Sequence, residues 1–125
     1  MGEISEKELR EEEERIRECE FCNKMKIGLL VPGEGPSNAK ILFIGEAPGA
    51  NESKVGKPFI GRAGRFLDKI LNRFKIKREK IYITSSIKYY PGKRPFKKEE
   101  IIHGRTHLSK QISALNPKII VLLGN

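Results

Sequence analysis

The sequence has no long hydrophobic run. No stretch of the 125 residues approaches the roughly 20 apolar side chains that a membrane-spanning helix needs. The amino terminus is acidic, unlike the basic and apolar start of a secretory signal. We therefore expect a cytoplasmic chain without a membrane partner. There is no internal repeat either, and a chain of this length with 38% hydrophobic residues can bury one core but not two.

Cysteine is scarce, and its two copies stand close together. Cys19 and Cys22 form the spacing C-x-x-C. One pair cannot build a disulfide framework, and in a cytosolic chain this spacing indicates metal or redox chemistry.

Acidic side chains are few outside the first twenty residues. Residues 1–20 carry nine Glu and four Lys or Arg, a net charge of −5. Because the whole chain carries +9, residues 21–125 carry +14. A field of this sign attracts polyanions, and nucleic acid is the first candidate, with a merely solvated basic surface as the alternative.

The acidic segment predicts a helix. It begins with the capping box S-E-K-E, so we expect a helix over residues 5–17. Leu9 and Ile16 stand a heptad apart and are too few to bury deeply. Residues 1–18 are therefore expected to form a solvated helical lid, followed by an α/β domain over residues 19–125.

The hydrophobic pattern predicts alternating strands and helices. Short β-branched runs are typical of buried parallel strands, and apolar residues at helical spacing indicate amphipathic helices. Strand, helix and strand in succession make a right-handed crossover, so the fold class is α/β with a parallel sheet. The expected strands are 40–44, 80–85 and 119–123, the expected helices 64–74 and 99–115, and the expected amino-terminal loop 20–38.

A twenty-residue connection comes after the first strand. Residues 45–64 contain five glycines and two prolines and run from a strand's carboxyl end to a helix start. Ligands of open α/β sheets bind there, and long ordered loops usually carry function. A Walker phosphate loop is excluded, because the interval from Gly49 to Gly56 is too wide and Pro58 replaces the hydroxyl residue.

Basic residues near both strand ends are candidates for DNA phosphate contacts. Arg62 and Gly64 stand at a helix start, which suits a phosphate oxygen, although Arg62 could instead pair with an acid. Residues 89–98 read YYPGKRPFKK, a mixture of aromatic and basic side chains that suits stacking and phosphate contact. The further candidates in and beside this loop are Lys88, Lys93 and Arg94.

Several motifs together resemble the type-4, iron-sulfur uracil-DNA glycosylases. They are PGEGP at 32–36, GEAPG at 45–49, G-x-PF-x-GRAG at 56–64, the upstream C-x-x-C, the YIT strand with its following Lys, and the PKIIVLLG strand. The resemblance spans residues 19–124. It implies a three-layer α/β/α sandwich that flips a deaminated base out of single- or double-stranded DNA and hydrolyses its N-glycosidic bond.

The resemblance also assigns roles to residues of the long loop. Phe59 would stack on the extruded base, and Glu46 would position the attacking water in the same pocket. The pocket would be shaped by Gly45, Ala47 and Pro48. The alternatives are that Phe59 only anchors the loop and that Glu46 is a solvated surface residue.

Ser85 stands where the family has an Asn that reads the edge of uracil. A hydroxyl cannot present a donor and an acceptor in the fixed geometry of an amide, so another deaminated base is an open alternative to uracil. The family's late His motif lies beyond Gly124 and has no counterpart here. The expectation is a truncated or divergent glycosylase, with a non-catalytic DNA-binding module or a fragment completed by a second chain as alternatives.

Two cluster cysteines of the family are absent. By the match, the third falls on Tyr89 and the fourth near Gly104. A 4Fe-4S cluster normally takes four cysteines, so we do not expect an intact cluster.

Two histidines could complete a different metal site. His103 and His107 are spaced i, i+4 on one predicted helix, so both could project toward Cys19 and Cys22. Two thiolates and two imidazoles are a ligand set for tetrahedral zinc. The alternative is no metal, with free thiols and solvated histidines.

Overall fold

The computed structural model describes residues 2–123 and consists of a small sheet between helices. No helix in this range is long and apolar enough to cross a membrane. A single turn of 3-10 helix at Arg78–Lys80 precedes the second strand. The helices are α1 (Gly2–Glu18), α2 (Glu20–Met25), α3 (Ala50–Val55), α4 (Arg62–Arg73) and α5 (Lys98–Leu115), and the strands are β1 (Ile41–Gly45), β2 (Tyr82–Ser85) and β3 (Ile119–Leu122).

The three strands are parallel in the order β2-β1-β3. Phe43 at the centre of β1 pairs with Ile83 on one side and with Val121 on the other. All carboxyl ends therefore meet at one edge of the sheet, where the loops after β1 and β2 lie side by side. The backbone N–H groups of Ser86 and Ile87 donate to the carbonyls at 45 and 46, which joins these two loops.

Helices cover both faces of the sheet. Successive strand residues point to opposite faces, so β1 contributes to two cores. The core shared with α1 and α5 contains Leu9, Ala39, Leu42, Ile44, Tyr82, Ala114 and Leu115. The core shared with α4 contains Phe43, Leu67, Leu71, Ile81 and Ile83. The expected α/β class and the α/β/α layering are confirmed.

The amino-terminal helix is not a solvated lid. It begins at Gly2, so Ser5 lies inside the helix and does not cap it. Leu9, Glu12 and Ile16 are all buried. Their spacing of three and four residues puts them on one helical face, and this face packs on α5. The expectation counted Glu12 as polar surface and therefore missed the stripe.

Two short helices lie within the expected loops. α2 falls inside the predicted loop 20–38, and its start is fixed by Asn23, whose side chain donates to the carbonyls of Arg17 and Cys19 at 2.9 Å each. α3 lies within the long connection 45–64 and ends at Gly56 in the left-handed conformation, with φ of 81°. Neither helix is long enough to show an apolar period in the sequence.

β3 was expected to be buried, but it is exposed. Leu122 is 76% exposed, and Ile119 and Ile120 are also exposed. Within residues 2–123, β3 pairs only with β1 and forms an edge of the sheet. An apolar run predicts a strand but not its place in the sheet. Gly124, the expected end of this strand, lies outside the described residues.

Candidate active site and metal centre

A cavity of about 300 Å³ opens beside the carboxyl ends of β1 and β2. This is at the lower end of the volumes of ligand pockets. Its wall brings together residues from four separate stretches of the sequence, at residue 31, 47–52, 58–63 and 85. Those that the sequence predicted are Ala47, Pro48, Phe59, Arg62 and Ser85.

Phe59 adopts an unusual backbone conformation at the cavity. Its φ is +50°, in the left-handed region that residues with a side chain rarely occupy. Its ring lies against Gly45, where an added Cβ would be 2.6 Å from the ring. Glycine at position 45 therefore leaves room for the ring, whereas the pocket-shaping role predicted for Gly45 stays a prediction.

Gly64 packs against the same turn. A Cβ at this position would lie 1.9 Å from the carbonyl oxygen of Phe59. Close packing between α4 and the turn therefore explains this glycine without a phosphate. Arg62, the other candidate at the helix start, is exposed on the cavity wall.

Glu52, for which the sequence predicts no role, ties the two ends of the loop together. Its carboxylate accepts hydrogen bonds from the backbone N–H of Gly49 at 3.1 Å and from those of Ile60 and Gly61 at 2.9 Å each. Burial acts to raise the pKa of this carboxyl, but the N–H donors, Gly61 first, hold it below its ordinary value. Its position three residues after Gly49, at the start of a short helix, was the only sequence signal.

Arg78 supports the Phe59 turn from the other side. Its guanidinium donates to the carbonyls of Pro58 at 2.9 Å and Phe59 at 3.0 Å, and it also pairs with Asp68 at 3.0 Å. No motif in the sequence marks this arginine. The left-handed turn is therefore fixed by a carboxylate and a guanidinium together.

Ser85 is buried at the end of β2 and lines the cavity. Its hydroxyl donates to the carbonyl of Ile87 at 2.5 Å. The hydrogen is thus engaged within the protein, and only the oxygen lone pairs remain for a ligand.

Lys88 cannot serve as the predicted phosphate contact. Lys88 is only 1% exposed. Its ammonium donates to Thr84 Oγ1 at 2.8 Å, to Gln111 Oε1 and to the carbonyl of Ser85. Burial lowers the pKa of Lys88 to about 7. The side chain holds the end of β2 in place from inside the protein.

Arg94 is also occupied within the protein. Its guanidinium donates to both oxygens of the buried Glu100, at 2.7 and 2.8 Å. This pairing is the main reason that the pKa of Glu100 is lowered to about 2. The phosphate role predicted for Arg94 is therefore a poor fit, whereas Lys93 is exposed beside it.

Glu46 does not share the cavity of Phe59. Its exposed side chain lines a neighbouring groove of about 260 Å³, together with Lys93 and the aromatic residues Tyr90 and Phe96. The expectation that Phe59 and Glu46 face one pocket is wrong for this structure. The two cavities are adjacent, however, because Ala47 and Pro48 line both.

The predicted metal ligands lie together. The candidate donor atoms of Cys19, Cys22, His103 and His107 are all within 4.8 Å of one another, and Cys19 Sγ lies 3.2 Å from His103 Nε2. These four residues form the Cys/His cluster, which can bind a metal. The cluster joins α2, and Cys19 immediately before it, to α5.

The environment of the Cys/His cluster suits a neutral imidazole at His103. Burial lowers the pKa of His103, and the neighbouring His107 lowers it further. Phe21 stacks on the His103 ring with centroids 4.2 Å apart. Burial raises the pKa of the Cys22 thiol to about 12, and a bound cation would reverse this by stabilising the thiolate.

His107 is held by a residue of α1. Its Nδ1 donates to Glu12 Oε2 at 2.7 Å. Its Nε2 is buried and has no hydrogen-bond partner among the described residues. Buried polar atoms rarely lack a partner, so the ring is oriented as a metal ligand would be.

The residues present do not fit the four-cysteine 4Fe-4S cluster that the resemblance implies. Tyr89, at the position of one family cysteine, is buried and donates its hydroxyl to Glu100 at 2.6 Å. The resemblance puts the other cysteine near Gly104, where an added Cβ would lie 2.4 Å from the carbonyl oxygen of Ser86, so a side chain at this residue would clash with the backbone. The remaining donors are also too close together to reach four different iron atoms.

Comparison with known proteins identifies the family. The model of the Uracil DNA glycosylase superfamily matches residues 32–125. The Type-4 uracil-DNA glycosylase of Saccharolobus solfataricus is 41% identical over 114 residues, covering 89% of this chain and 53% of the relative. The Type-4 enzyme of Sulfurisphaera tokodaii is 39% identical, covering 89% of this chain and 52% of the relative. For that of Thermotoga maritima the identity is 38%, and the coverages are 89% and 59%.

The chain spans about half the length of the curated relatives that it matches. The matched half contains the cavity, the loop that holds Phe59 and the Cys/His cluster. The resemblance to type-4 enzymes expected from the motifs is confirmed. The chain belongs to the uracil DNA glycosylase superfamily.

Proposed function

We propose that this chain is a DNA-repair glycosylase domain that binds one extruded, deaminated base in the cavity beside β1 and hydrolyses its N-glycosidic bond. The observation that carries this proposal is the Phe59 turn. A strained aromatic residue, fixed by Glu52 and Arg78, lines a cavity of about 300 Å³. An aromatic ring held rigidly in this way provides a stacking surface for a flipped base.

The proposed reaction needs a water molecule beside the sugar. The water oxygen bonds to C1′, the bond from C1′ to the base nitrogen breaks, and its electrons leave with the base. Glu46 is the proposed carboxylate that orients the water and accepts its proton. Its groove adjoins the base cavity across Ala47 and Pro48, which supports this role.

The base preference is proposed from Ser85. Because its hydroxyl hydrogen is bonded to the carbonyl of Ile87, Ser85 offers only an acceptor to the base. It would read a ring N–H of uracil, hypoxanthine or xanthine and would not provide the donor that an amide gives. We therefore propose a broader range of deaminated bases than uracil alone.

A base-release assay tests this function. Oligonucleotides with uracil, hypoxanthine or xanthine, in single and double strands, are incubated with the chain, and free base is measured. The proposal predicts release of at least one base, and loss of that release in Glu46→Gln but not in the exposed control Glu79→Gln. Tight binding without release would favour a non-catalytic DNA-binding module instead.

DNA is the proposed partner. The charge of +14 on residues 21–125 and the exposed Arg62 and Lys93 beside the two cavities support it. Neutralising either residue, as Arg62→Gln or Lys93→Gln, should weaken binding and reduce the salt slope by about 1. Arg10→Gln on the acidic α1 is the control and should leave the slope unchanged.

The metal of the Cys/His cluster is proposed to be one zinc ion. Zinc binds thiolates at about 2.3 Å and imidazoles at about 2.0 Å in a tetrahedron, which puts ligand atoms roughly 3.3–3.8 Å apart. The observed donors, within 4.8 Å, reach that spacing with small side-chain rotations. A thiolate site for zinc needs reduced cysteines, and Cys19 and Cys22 are not joined by a disulfide in the structure, which agrees with the proposed cytoplasmic location.

Metal analysis tests the zinc proposal. Protein purified without added metal should contain one zinc per chain. Cys22→Ser should lose it, while the exposed control Ser113→Ala on α5 should retain it. Less than one equivalent of zinc in the unaltered chain, or several iron atoms per chain, would contradict the proposal.

A second polypeptide segment is proposed to pair with β3. The exposed apolar residues Ile119, Ile120 and Leu122 on an edge strand support it, because such edges are usually paired or covered. A strand added there would extend the parallel sheet. When the chain is mixed with such a segment, Leu122→Lys should weaken the complex and thereby lower the average molecular mass measured in solution. The control Ile4→Lys on α1 should leave this mass unchanged.

A further inference from the structure

The acidic helix α1 reaches the Cys/His cluster through Glu12. This carboxylate is 1% exposed, although it lies in a run of four glutamates whose other members are partly or fully exposed. Its Oε2 accepts the hydrogen bond from His107 Nδ1 at 2.7 Å. Its Oε1 accepts from Arg15 at 2.9 Å. Both oxygens are thus bonded, and one bond leads directly to a candidate metal ligand.

The contact with Glu12 sets the state of the His107 ring. When Nδ1 carries the hydrogen, Nε2 presents a lone pair. That Nε2 is the buried atom without a partner among the described residues. The donor atom that His107 offers lies within 4.8 Å of those of the two cysteines and His103. A carboxylate that bonds the far nitrogen of a metal-binding histidine fixes the tautomer and the orientation of its ring.

The same contact joins α1 to the body of the chain. Leu9 and Ile16, on the same face as Glu12, are buried, so a shift of α1 would move the carboxylate away from His107. The Cys/His cluster itself comes from α5 and from the segment immediately after α1. Docking of α1 and orientation of the metal ligand are therefore one structural event.

We propose that Glu12 is a positioning residue of the metal site and that metal binding is coupled to the docking of α1 on α5. This inference rests on the metal site proposed above. Coupling between two events is reciprocal, so the factor by which the docking of α1 strengthens metal binding is also the factor by which the metal strengthens the docking of α1.

Metal affinity tests the role of Glu12. Zinc is titrated into metal-free chain in competition with a chromophoric chelator. Glu12→Gln should bind zinc about 10–100-fold more weakly, and the exposed control Glu14→Gln should match the unaltered chain. Equal affinities of Glu12→Gln and the unaltered chain would overturn the inference about Glu12 while leaving the metal site itself intact.

A double variant separates orientation of the ring from general stability. In a His107→Cys background there is no imidazole to orient, so adding Glu12→Gln should cause no further loss of zinc affinity. Cobalt(II) gives a second readout, because its visible bands should change in Glu12→Gln but not in Glu14→Gln. An equal loss of affinity in both backgrounds would overturn the positioning role.

Hydrogen exchange on the unaltered chain tests the coupling without any variant. Zinc should slow amide exchange across α1, because the docked helix is the form that binds the metal more tightly. Unchanged exchange in α1 despite bound zinc would overturn the coupling. If the unaltered chain binds no zinc, the metal site proposed above fails, and this inference fails with it.

Discussion

At the residue scale, buried charges hold the loops around the cavity. Glu52 fixes the ends of the long connection. Glu100 joins Arg94 to Tyr89 below the second loop, and Lys88 holds the end of β2. Each of these charges is bonded, which is what makes its burial tolerable. The shape of the site thus depends on polar residues whose residue types alone would place them in solvent.

Glu100→Gln should destabilise the fold in a pH-dependent way. Arg94 and other donors lower the pKa of Glu100 to about 2. The unfolded chain therefore takes up a proton before the folded one does, so this carboxylate stabilises the fold above pH ~4.3, and the stabilisation is lost as pH falls toward 2. The variant should lose about 2 kcal/mol near pH 6.

Urea unfolding between pH 2 and pH 7 measures this effect. The difference between the unaltered chain and Glu100→Gln should shrink as the solution becomes acidic. The exposed neighbour Glu99 is the control, and Glu99→Gln should match the unaltered chain. A constant difference across the pH range would show that the ion pair with Arg94 is not its source.

Ser85→Asn should shift the base preference toward uracil. The amide of Asn adds a hydrogen-bond donor beside an acceptor at the cavity wall. A site that bonds both a donor and an acceptor of uracil rejects bases that do not present both groups. The ratio of kcat/KM for uracil to that for hypoxanthine should rise by about 10-fold or more. Thr106→Asn, at an exposed position on α5, is the control and should leave the ratio unchanged. An unchanged ratio in Ser85→Asn would contradict the proposal that Ser85 contacts the edge of the base.

At the element scale, α1 is part of the domain. Leu9 packs in the core shared with α5, and Glu12 bonds to His107 of α5. Ile16 packs with Cys22, Leu30, Ile87 and Tyr89, so the helix contributes to the interior at both positions. β3 shows the opposite behaviour. Its sequence is that of a buried strand, but its apolar side chains are exposed. Among the described residues, β3 pairs with β1 on one edge and has no neighbouring strand on the other.

Ile16→Ala tests whether α1 is docked. Deleting a fully buried isoleucine side chain costs about 2–5 kcal/mol, whereas an exposed substitution changes stability by about 0.5 kcal/mol or less. Ile4→Ala, at an exposed position on the same helix, is the matched control. Denaturant unfolding gives both values, and equal stability of the two variants would mean that α1 is a lid in solution.

At the scale of the whole molecule, hydrophobic periodicity predicted the regular elements, and long-range polar pairing was missed. The β1 and β2 strands and the helices α4 and α5 were predicted to within a few residues, since their apolar residues repeat at the strand or helix period. The burial of Glu12 and Lys88 was missed because the partners that make it tolerable, His107 and Gln111, are distant in the sequence.

The residues of the candidate site were likewise predicted where a motif marks them and missed where only a long-range contact does. Phe59 and Ser85 were predicted because motifs mark them, and the cavity brings them together. Arg78 was missed because its contact with the Phe59 turn exists only after α4 has packed on the sheet. Glu46 was expected beside Phe59, but the loop carries it into the adjoining groove, and the sequence carries no signal for that direction.

The most direct test of the cavity's function is the single-turnover rate of base release by Phe59→Leu. Leucine keeps the bulk of the side chain but removes the aromatic face, and loss of base stacking is worth about 1–3 kcal/mol. If the base stacks on Phe59, the rate should be about 5–150-fold below that of the unaltered chain. The exposed control Phe74→Leu should release the base at the unaltered rate. Equal rates for Phe59→Leu and the unaltered chain would contradict it.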